Sequence, residues 1–427
     1  MRFLSAFALL LLVMLACGSE EEGHSFTLRY LGREISFAVS PDFSADSVAM
    51  RSCEKFGLDP KVHRRSLREY IENKVAEHFN DERIRNGMLS MDPEAKWFAE
   101  SVCRDFPSLH GLEYSRFSLR KEPRRIIDAF PFFNEIEILQ VRIKELDPVV
   151  DKFILVESAM THSGLPKELI FESNRNQFEP WLEKIVHIVL ESLPNSQDHW
   201  VRERAQRDGI HEGLEQSGAD GDDLVIVSDT DEIPRRSTIR ALSWCEGYRS
   251  PLQLRSAFFY YSLEHRWTER LDVGYRPFQW KQPRAILVSQ LAFPRLTVNH
   301  LRYDPGDEES NNMDVILDAS WHLSFFGGID RIKTKIEAYA HQENNVPELK
   351  STEHLINSTR RGEDLFRRGA VHGELMANLE PYDLPSPILN DVKHGGTLYS
   401  SWLPLGLDVA LYSEHADLGD ADGRDEL

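Results

Sequence analysis

The stretch VIVSDTDEIP, Val225 to Pro234, sets an unbroken aliphatic run against a group of carboxylates. Val225, Ile226 and Val227 have the continuous β-branched character of a strand buried on both faces, as in a parallel sheet. Grouped negative charge at the end of such a strand is costly without a positive partner. Something of opposite charge must therefore face Asp229, Asp231 and Glu232. Alternation sends Asp229 and Asp231 to the same side while the chain stays extended. Two hard oxygen donors on one side suit Mg²⁺ or Mn²⁺, ions that commonly share a nucleotide diphosphate with the protein. The same residues also read as a capping turn before a helix, with Pro234 near its start.

Working outward, strand patterns alternate with helical ones. RRIIDAFPFFNE (124–135) is a strand and a turn, and EIEILQVRIKELDPVV (135–150) is helical up to Pro148. DKFILVESA (151–159) and VHIVLES (186–192) are strands, with the short helical piece FEPWLEKI (178–185) between them. DHWVRERAQRDGIHEGLEQSG (198–218) is a helix that leads into DDLVIVSD (222–229). Such alternation predicts an α/β fold with a mainly parallel sheet flanked by helices. Ligands of these sheets bind beyond the carboxyl ends of the strands. Asp229, Asp231 and Glu232 stand at such an end, as do Glu157-Ser158 and Glu191-Ser192.

The rest of the chain bounds the setting. Its 427 residues suffice for two domains. The formal charge of −20, from 50 Lys+Arg against 70 Asp+Glu, argues against a nucleic-acid partner. Residues 1–18 read as a secretory signal peptide, with a short signal anchor or a lipoprotein lipidated at Cys17 as alternatives. Membrane association would run only through that apolar segment. Residues 19–80 suggest a small α+β module, possibly ubiquitin-like, built on a hairpin around Gly32 and two amphipathic helices. Residues 81–122 read as a connector with helical pieces, 123–400 as the α/β domain, and 401–427 as an acidic tail. The tail ends in Arg424-Asp425-Glu426-Leu427, close to an ER-retention signal, which favours the ER lumen, with a Golgi membrane as the alternative. The sequon Asn357-Ser358-Thr359 fits that route. Cys53 and Cys103 are expected to pair, and Cys245 to be a buried thiol.

Several blocks in order resemble the glycosyltransferases of family 17 from about residue 124 to 345. They are RRIIDAFPFFNEIEIL (124–139), ELDPVVDKFILVES (145–158), GLPKELIF (164–171), SDTDEIP (228–234), WKQP (280–283), SWHLSFF (320–326) and AYAHQE (338–343). The resemblance implies a GT-A-like fold and inverting transfer from UDP-N-acetylglucosamine, in β-1,4 linkage, to a mannose of an N-glycan. The partners would be a UDP-sugar donor and a glycan or glycoprotein acceptor. A related UDP-sugar transferase with another acceptor, or a catalytically silent lumenal glycan-binding protein, are the alternatives. Asp231 would hold the metal, with Asp229 assisting at metal or ribose. Glu232 is the nearest candidate base, or a brace of the loop through Arg235 or Arg236. His322 reads as a late metal ligand or as a buried histidine. Lys281 could neutralise phosphate or be solvated, and Trp280 could stack on a sugar. Glu157 could contact uracil or ribose, and Glu135 reads as helix support or site. Arg204 and Arg207 could hold phosphate or line a charged helix face. Leu323 and Phe326 stand where animal members of the family carry cysteines.

Overall fold

The structure, a computed structural model, describes residues 25–30, 33–79, 93–112, 117–270, 275–291, 296–303, 313–368, 371–375, 384–393 and 396–403. The apolar segment 1–18 and the RDEL tail lie outside the described residues. The chain begins with the antiparallel hairpin β1 (Ser25–Tyr30) and β2 (Arg33–Ala38), then α1 (Ala45–Phe56), α2 (Pro60–Phe79) and α3 (Pro93–Leu109). Ser44 caps α1 by accepting the Ser47 N–H. Gly57, at φ +65°, ends it in the left-handed conformation that glycine adopts without strain. Among the described residues the hairpin forms a two-stranded sheet of its own, which is not the larger sheet of a ubiquitin-like module.

After β3 (Ser118–Leu119) the strands and helices alternate as expected: β4 (Ile126–Phe132), α4 (Ile136–Leu146), β5 (Lys152–Ser158), α5 (Ile170–Ser173), β6 (Ile185–Leu190), α6 (His199–Gln216) and β7 (Leu224–Val227). These strands lie in the order β6-β5-β4-β7, all parallel. Then follow β8 (Glu232–Pro234), α7 (Arg236–Trp244), β9 (Cys245–Glu246), β10 (Leu252–Tyr260), β11 (His265–Arg270), β12 (Tyr275–Pro277), β13 (Gln279–Trp280), β14 (Arg284–Leu287), α8 (Val298–Tyr303) and β15 (Asp314–Ser324). The chain continues through α9 (Ile329–Ala338), α10 (Thr352–Arg361), β16 (Val371–Leu375) and α11 (Ser386–Lys393). This second half is mixed. β14 runs antiparallel to β7 and β10, β15 runs parallel to β10, and β8 pairs antiparallel with β15. One sheet flanked by helices, parallel in its first half and mixed beyond, is an α/β, GT-A-like arrangement.

Alternation along the central strands builds two cores. On β4 and β7, Ile126, Phe130, Leu224 and Ile226 join one apolar cluster. Their neighbours Ile127, Ala129, Val225 and Val227 join another on the opposite face. The second face is covered by α6, whose Gly209 and Gly213 meet the sheet. A Cβ on Gly213 would come within 2.2 Å of Ile154 Cγ2. The close approach therefore requires glycine, and it sets the N-terminal turns of α6 against the carboxyl ends of the strands.

The N-terminal helices share the first core with the sheet. Phe98 packs edge-on to Trp244, with ring centroids 5.9 Å apart. Buried charges cross the same contact. Arg240 Nη1 reaches Glu72 Oε1 at 3.2 Å, while Arg68 holds the other Glu72 oxygen at 3.1 Å. Arg235 Nη1 reaches Glu69 Oε2 at 3.4 Å, and Ser237 Oγ donates to Glu69 Oε1 at 3.0 Å. The expected Cys53–Cys103 pairing is corrected by this packing. α3 crosses the C-terminal end of α7, so Cys103 bonds Cys245 with a Cα–Cα distance of 5.5 Å. Cys53 is buried and takes no part in that disulfide.

Candidate functional site

The carboxyl ends of β4, β5 and β7 open on a cavity of about 610 Å³. Phe132, His162, Arg207, Asp229 and Asp231 line it from the parallel half of the sheet. Trp280, Arg302, His322, Tyr339 and Lys335 line it from the mixed half.

Arg142, on α4, holds the turn that carries the carboxylates. It is fully buried and pairs with Asp128 of β4, donating from Nε at 2.7 Å and from Nη2 at 2.6 Å. Its Nη1 donates to the backbone carbonyls of Asp229 and Glu232, each at 2.8 Å. The pair thus neutralises its own charge and satisfies buried carbonyls of the loop. Thr230 Oγ1 adds a bond to the Pro131 carbonyl at 2.7 Å. With the backbone tied down, Asp229 and Asp231 are left to face the cavity. Sequence reading did not single out Arg142. The signal was present as an arginine within the apolar positions of α4 and an aspartate within the apolar run of β4.

Each carboxylate meets cationic side chains. Asp229 accepts from Arg207 Nη1 at 2.7 Å and from Arg302 Nη2 at 2.5 Å. Its side chain keeps 36% exposure, toward the cavity. Burial acts to raise its pKa, but Arg302 and then Arg207 outweigh burial and hold the carboxyl well below the usual range. Asp231 Oδ2 accepts from Lys335 Nζ at 2.7 Å, and its Oδ1 lies 3.5 Å from His322 Nε2. Glu232 has no exposed surface. It accepts from Trp280 Nε1 at 2.7 Å, from Arg302 Nη1 at 2.8 Å and Nη2 at 3.0 Å, and from the Asp229 N–H at 2.8 Å. So Glu232 braces the loop, through Arg302 and Trp280 rather than Arg235 or Arg236. Those two arginines point instead to Asp318 and to the Glu145 carbonyl. A buried carboxylate with four donors already on it is poorly placed to take a proton from a hydroxyl.

The remaining expected residues divide. Trp280 lines the cavity, its ring 5.2 Å from that of His322. Lys281 is exposed and does not line the cavity, because alternation turns it away from Trp280. The lysine at the carboxylates is Lys335, which sequence reading missed along with Arg302. His322 is buried and packs edge-on to Phe258 at 4.5 Å. Burial holds its pKa below the ordinary value, against the raising pull of Asp231 and Glu232. Glu157 is buried beneath the site. It accepts from the Phe171 N–H at 3.0 Å and meets His187 Nε2 at 3.2 Å and Lys167 Nζ at 3.4 Å, so it supports the end of β5 rather than lining the cavity. Glu135 does line it, 3.8 Å from Lys335. Arg207 enters the site, whereas Arg204 pairs with Asp198 at 3.2 Å on the exposed face of α6.

Among the described residues no cluster of three His, Cys, Asp or Glu side chains is preformed around a metal position. Asp231 and His322 do present an oxygen and a nitrogen 3.5 Å apart, and His322 Nδ1 is buried without a hydrogen-bond partner. The oxygens of Asp229 are engaged by guanidinium groups. This donor pair fits a divalent ion that takes its other oxygens from a diphosphate and water.

Comparison with known proteins places this geometry in a family. The sequence model of glycosyltransferase family 17 matches residues 96–371, more than half of the chain. A β-1,4-mannosyl-glycoprotein 4-β-N-acetylglucosaminyltransferase of Rattus norvegicus is 30% identical over 217 residues, covering 45% of this chain and 36% of that protein. The Homo sapiens protein of the same name is 30% identical, covering 45% and 37%. The Mus musculus one is 29% identical over 228 residues, covering 48% and 38%. The chain therefore spans well under half the length of these relatives. Among solved structures, a mannosyltransferase, PcManGT from Pyrobaculum calidifontis in complex with GDP-Man and Mn²⁺, aligns with 13% identity and a TM-score of 0.29, covering 81% of this chain and 93% of that one. A galactosyltransferase, LgtC, in complex with donor and acceptor sugar analogs, aligns with 13% identity and a TM-score of 0.23, covering 68% and 94%.

Proposed function

Because this chain belongs to glycosyltransferase family 17, we propose that it transfers N-acetylglucosamine from UDP-N-acetylglucosamine, with inversion and with a divalent ion, to a mannose of an N-glycan in β-1,4 linkage. The observation that carries the reading is the meeting of Asp229 and Asp231 with Arg207, Arg302 and Lys335 at the mouth of a cavity of about 610 Å³. On transfer the bond between the sugar's anomeric carbon and the diphosphate breaks and the nucleoside diphosphate leaves with the bonding pair, a negative charge that Arg207, Arg302 and Lys335 would face. A divalent ion held by Asp231 and His322 would offset part of that charge. Arg302 spans Asp229 and Glu232, so the brace and the charge-bearing carboxylate keep a fixed relation during departure of the diphosphate. Trp280, held by its N–H on Glu232, offers a ring to a sugar face. These buried, paired groups are oriented before substrate arrives, which is the condition for electrostatic stabilisation of a transition state.

We propose further that the protein works in the lumen of the secretory pathway. The Cys103–Cys245 disulfide supports an oxidising compartment. Hydrolysis of a panel of UDP-sugars, with and without Mn²⁺, tests the donor and the metal together. Preferential, Mn²⁺-dependent cleavage of UDP-N-acetylglucosamine is expected. Hydrolysis that ignores Mn²⁺, or that favours another sugar, would overturn that part of the reading.

A further inference from the structure

Asp231 carries an ammonium group where the donor-site reading puts a divalent ion. Lys335 Nζ donates to Asp231 Oδ2 at 2.7 Å. A metal bound to the same carboxylate would set two positive centres within a few ångströms of each other, a repulsion that is strong in a part-buried site. The lysine has a second carboxylate within reach, since Glu135 Oε1 lies 3.8 Å from the same Nζ. Glu135 is itself held in place, because its Oε2 accepts the Asn134 N–H at 3.0 Å. Space is available between the two seats: a small cavity of about 10 Å³ is lined by Asn134, Glu135, Asp231, Phe325 and Lys335. The stem of Lys335 leaves α9 beside Phe325, whose ring centroid lies 5.3 Å from Nζ. A long side chain on a rigid helix can exchange two acceptors by rotation of its outer bonds alone.

We propose that Lys335 is a movable counter-ion: it neutralises Asp231 in the free protein and yields that carboxylate to the divalent ion by shifting to Glu135. This rests on the donor-site reading above and adds a competition to it. The free site stays charge-compensated without metal, and metal affinity is set by the difference between the two lysine seats. Lys335 then remains beside the diphosphate as a third cation while the ion is bound.

The test is direct titration of Mn²⁺ into the full chain, read by the loss of the free-ion electron paramagnetic resonance signal, with no nucleotide present. Lys335→Met removes the competitor and is expected to tighten Mn²⁺ on the order of tenfold. Lys335→Gln carries the same expectation should the methionine variant fail to melt cooperatively. Glu135→Gln removes the second seat and is expected to weaken Mn²⁺ by roughly threefold. Lys335→Arg keeps the charge and should stay near wild type. UDP is titrated into the same samples without metal. If UDP binds but Mn²⁺ affinity is unchanged or weaker in Lys335→Met and Lys335→Gln, the counter-ion role is overturned while the donor site stands. If neither UDP nor Mn²⁺ binds any sample, both readings fall.

Discussion

Two of the buried charge groups among the described residues are built to different ends. At the seam between the N-terminal helices and the sheet, Glu69, Glu72, Arg235 and Arg240 are almost fully buried and face one another. At the cavity, Glu232 and Arg302 are as deeply buried, but Asp229 keeps 36% of its side chain exposed. The seam borders a smaller cavity of about 210 Å³, but Glu69 and Glu72 are engaged by Ser237 and by arginines, so these charges hold two layers together. In the cavity cluster Glu232 is sealed, while Asp229, Asp231, Arg302 and Trp280 all line the cavity. Buried ion pairs of similar geometry thus act as a joint in one place and as a platform in the other. What separates them is whether a carboxylate keeps exposed surface toward the space beside it, as Asp229 does and Glu69 and Glu72 do not.

The sharpest test of that contrast lies at the seam. Glu72→Ala leaves Arg68 and Arg240 buried without their carboxylate, and is expected to cost about 3–5 kcal/mol of stability. Donor hydrolysis per folded molecule should stay within about twofold of wild type, since no cavity group is touched. Denaturant unfolding and hydrolysis on the same preparation decide it; a large kinetic defect in a stable variant would erase the distinction. At the cavity the order is reversed. Asp231→Asn should lower transfer roughly 10²–10³-fold, the scale of one electrostatic contact made at the transition state. Its melting temperature should change little, because Lys335 retains Glu135 as a neighbour. An asparagine variant that transfers normally would remove Asp231 from the chemistry.

A third expectation concerns pH. His110 lies at the seam, its Nδ1 2.8 Å from the Leu317 carbonyl and its ring stacked on Phe106. Burial first, and then the neighbouring cation Arg68, hold its pKa well below the ordinary value, with Arg65 and Arg235 adding to the effect. The unfolded chain takes up this proton as pH falls through about 6.5, whereas the folded chain does not. The stability contribution is therefore complete above that pH and lost below it, at about 1.4 kcal/mol per pH unit. His110→Gln should flatten this part of the dependence in unfolding curves between pH 7.5 and 5.5, and an unchanged slope would assign it elsewhere. The smallest effect is expected at Lys281. Its exposed side chain lies outside the cavity, so Lys281→Ala should leave the KM for donor within about twofold. A strong donor defect would mean that this lysine reaches the site in the bound state.

Much of this molecule was legible in one dimension. The apolar runs 126–130, 153–156 and 224–227 announced buried parallel strands because their pattern is local and only Asp128 interrupts it. Asp229 and Asp231 could be placed at a strand end for the same reason, and Trp280 and His322 through blocks that resemble a known family. What could not be read was which charges those carboxylates meet. Arg142, Arg207, Arg302 and Lys335 come from four separate helices, and no spacing in the sequence ties any of them to residues 229–232. Glu157 looked like a site residue and proved to be a support, since Lys167, His187 and the Phe171 N–H close over it. The pairing of Cys103 with Cys245, 142 residues apart, was hidden likewise. By itself the sequence determined the strands, their buried faces and the position of the acidic turn, because hydrophobic periodicity and chain direction are properties of neighbouring residues. Only the tertiary structure decided which carboxylates stay open to a ligand and which are sealed, because charge compensation depends on distance in space between groups far apart along the chain.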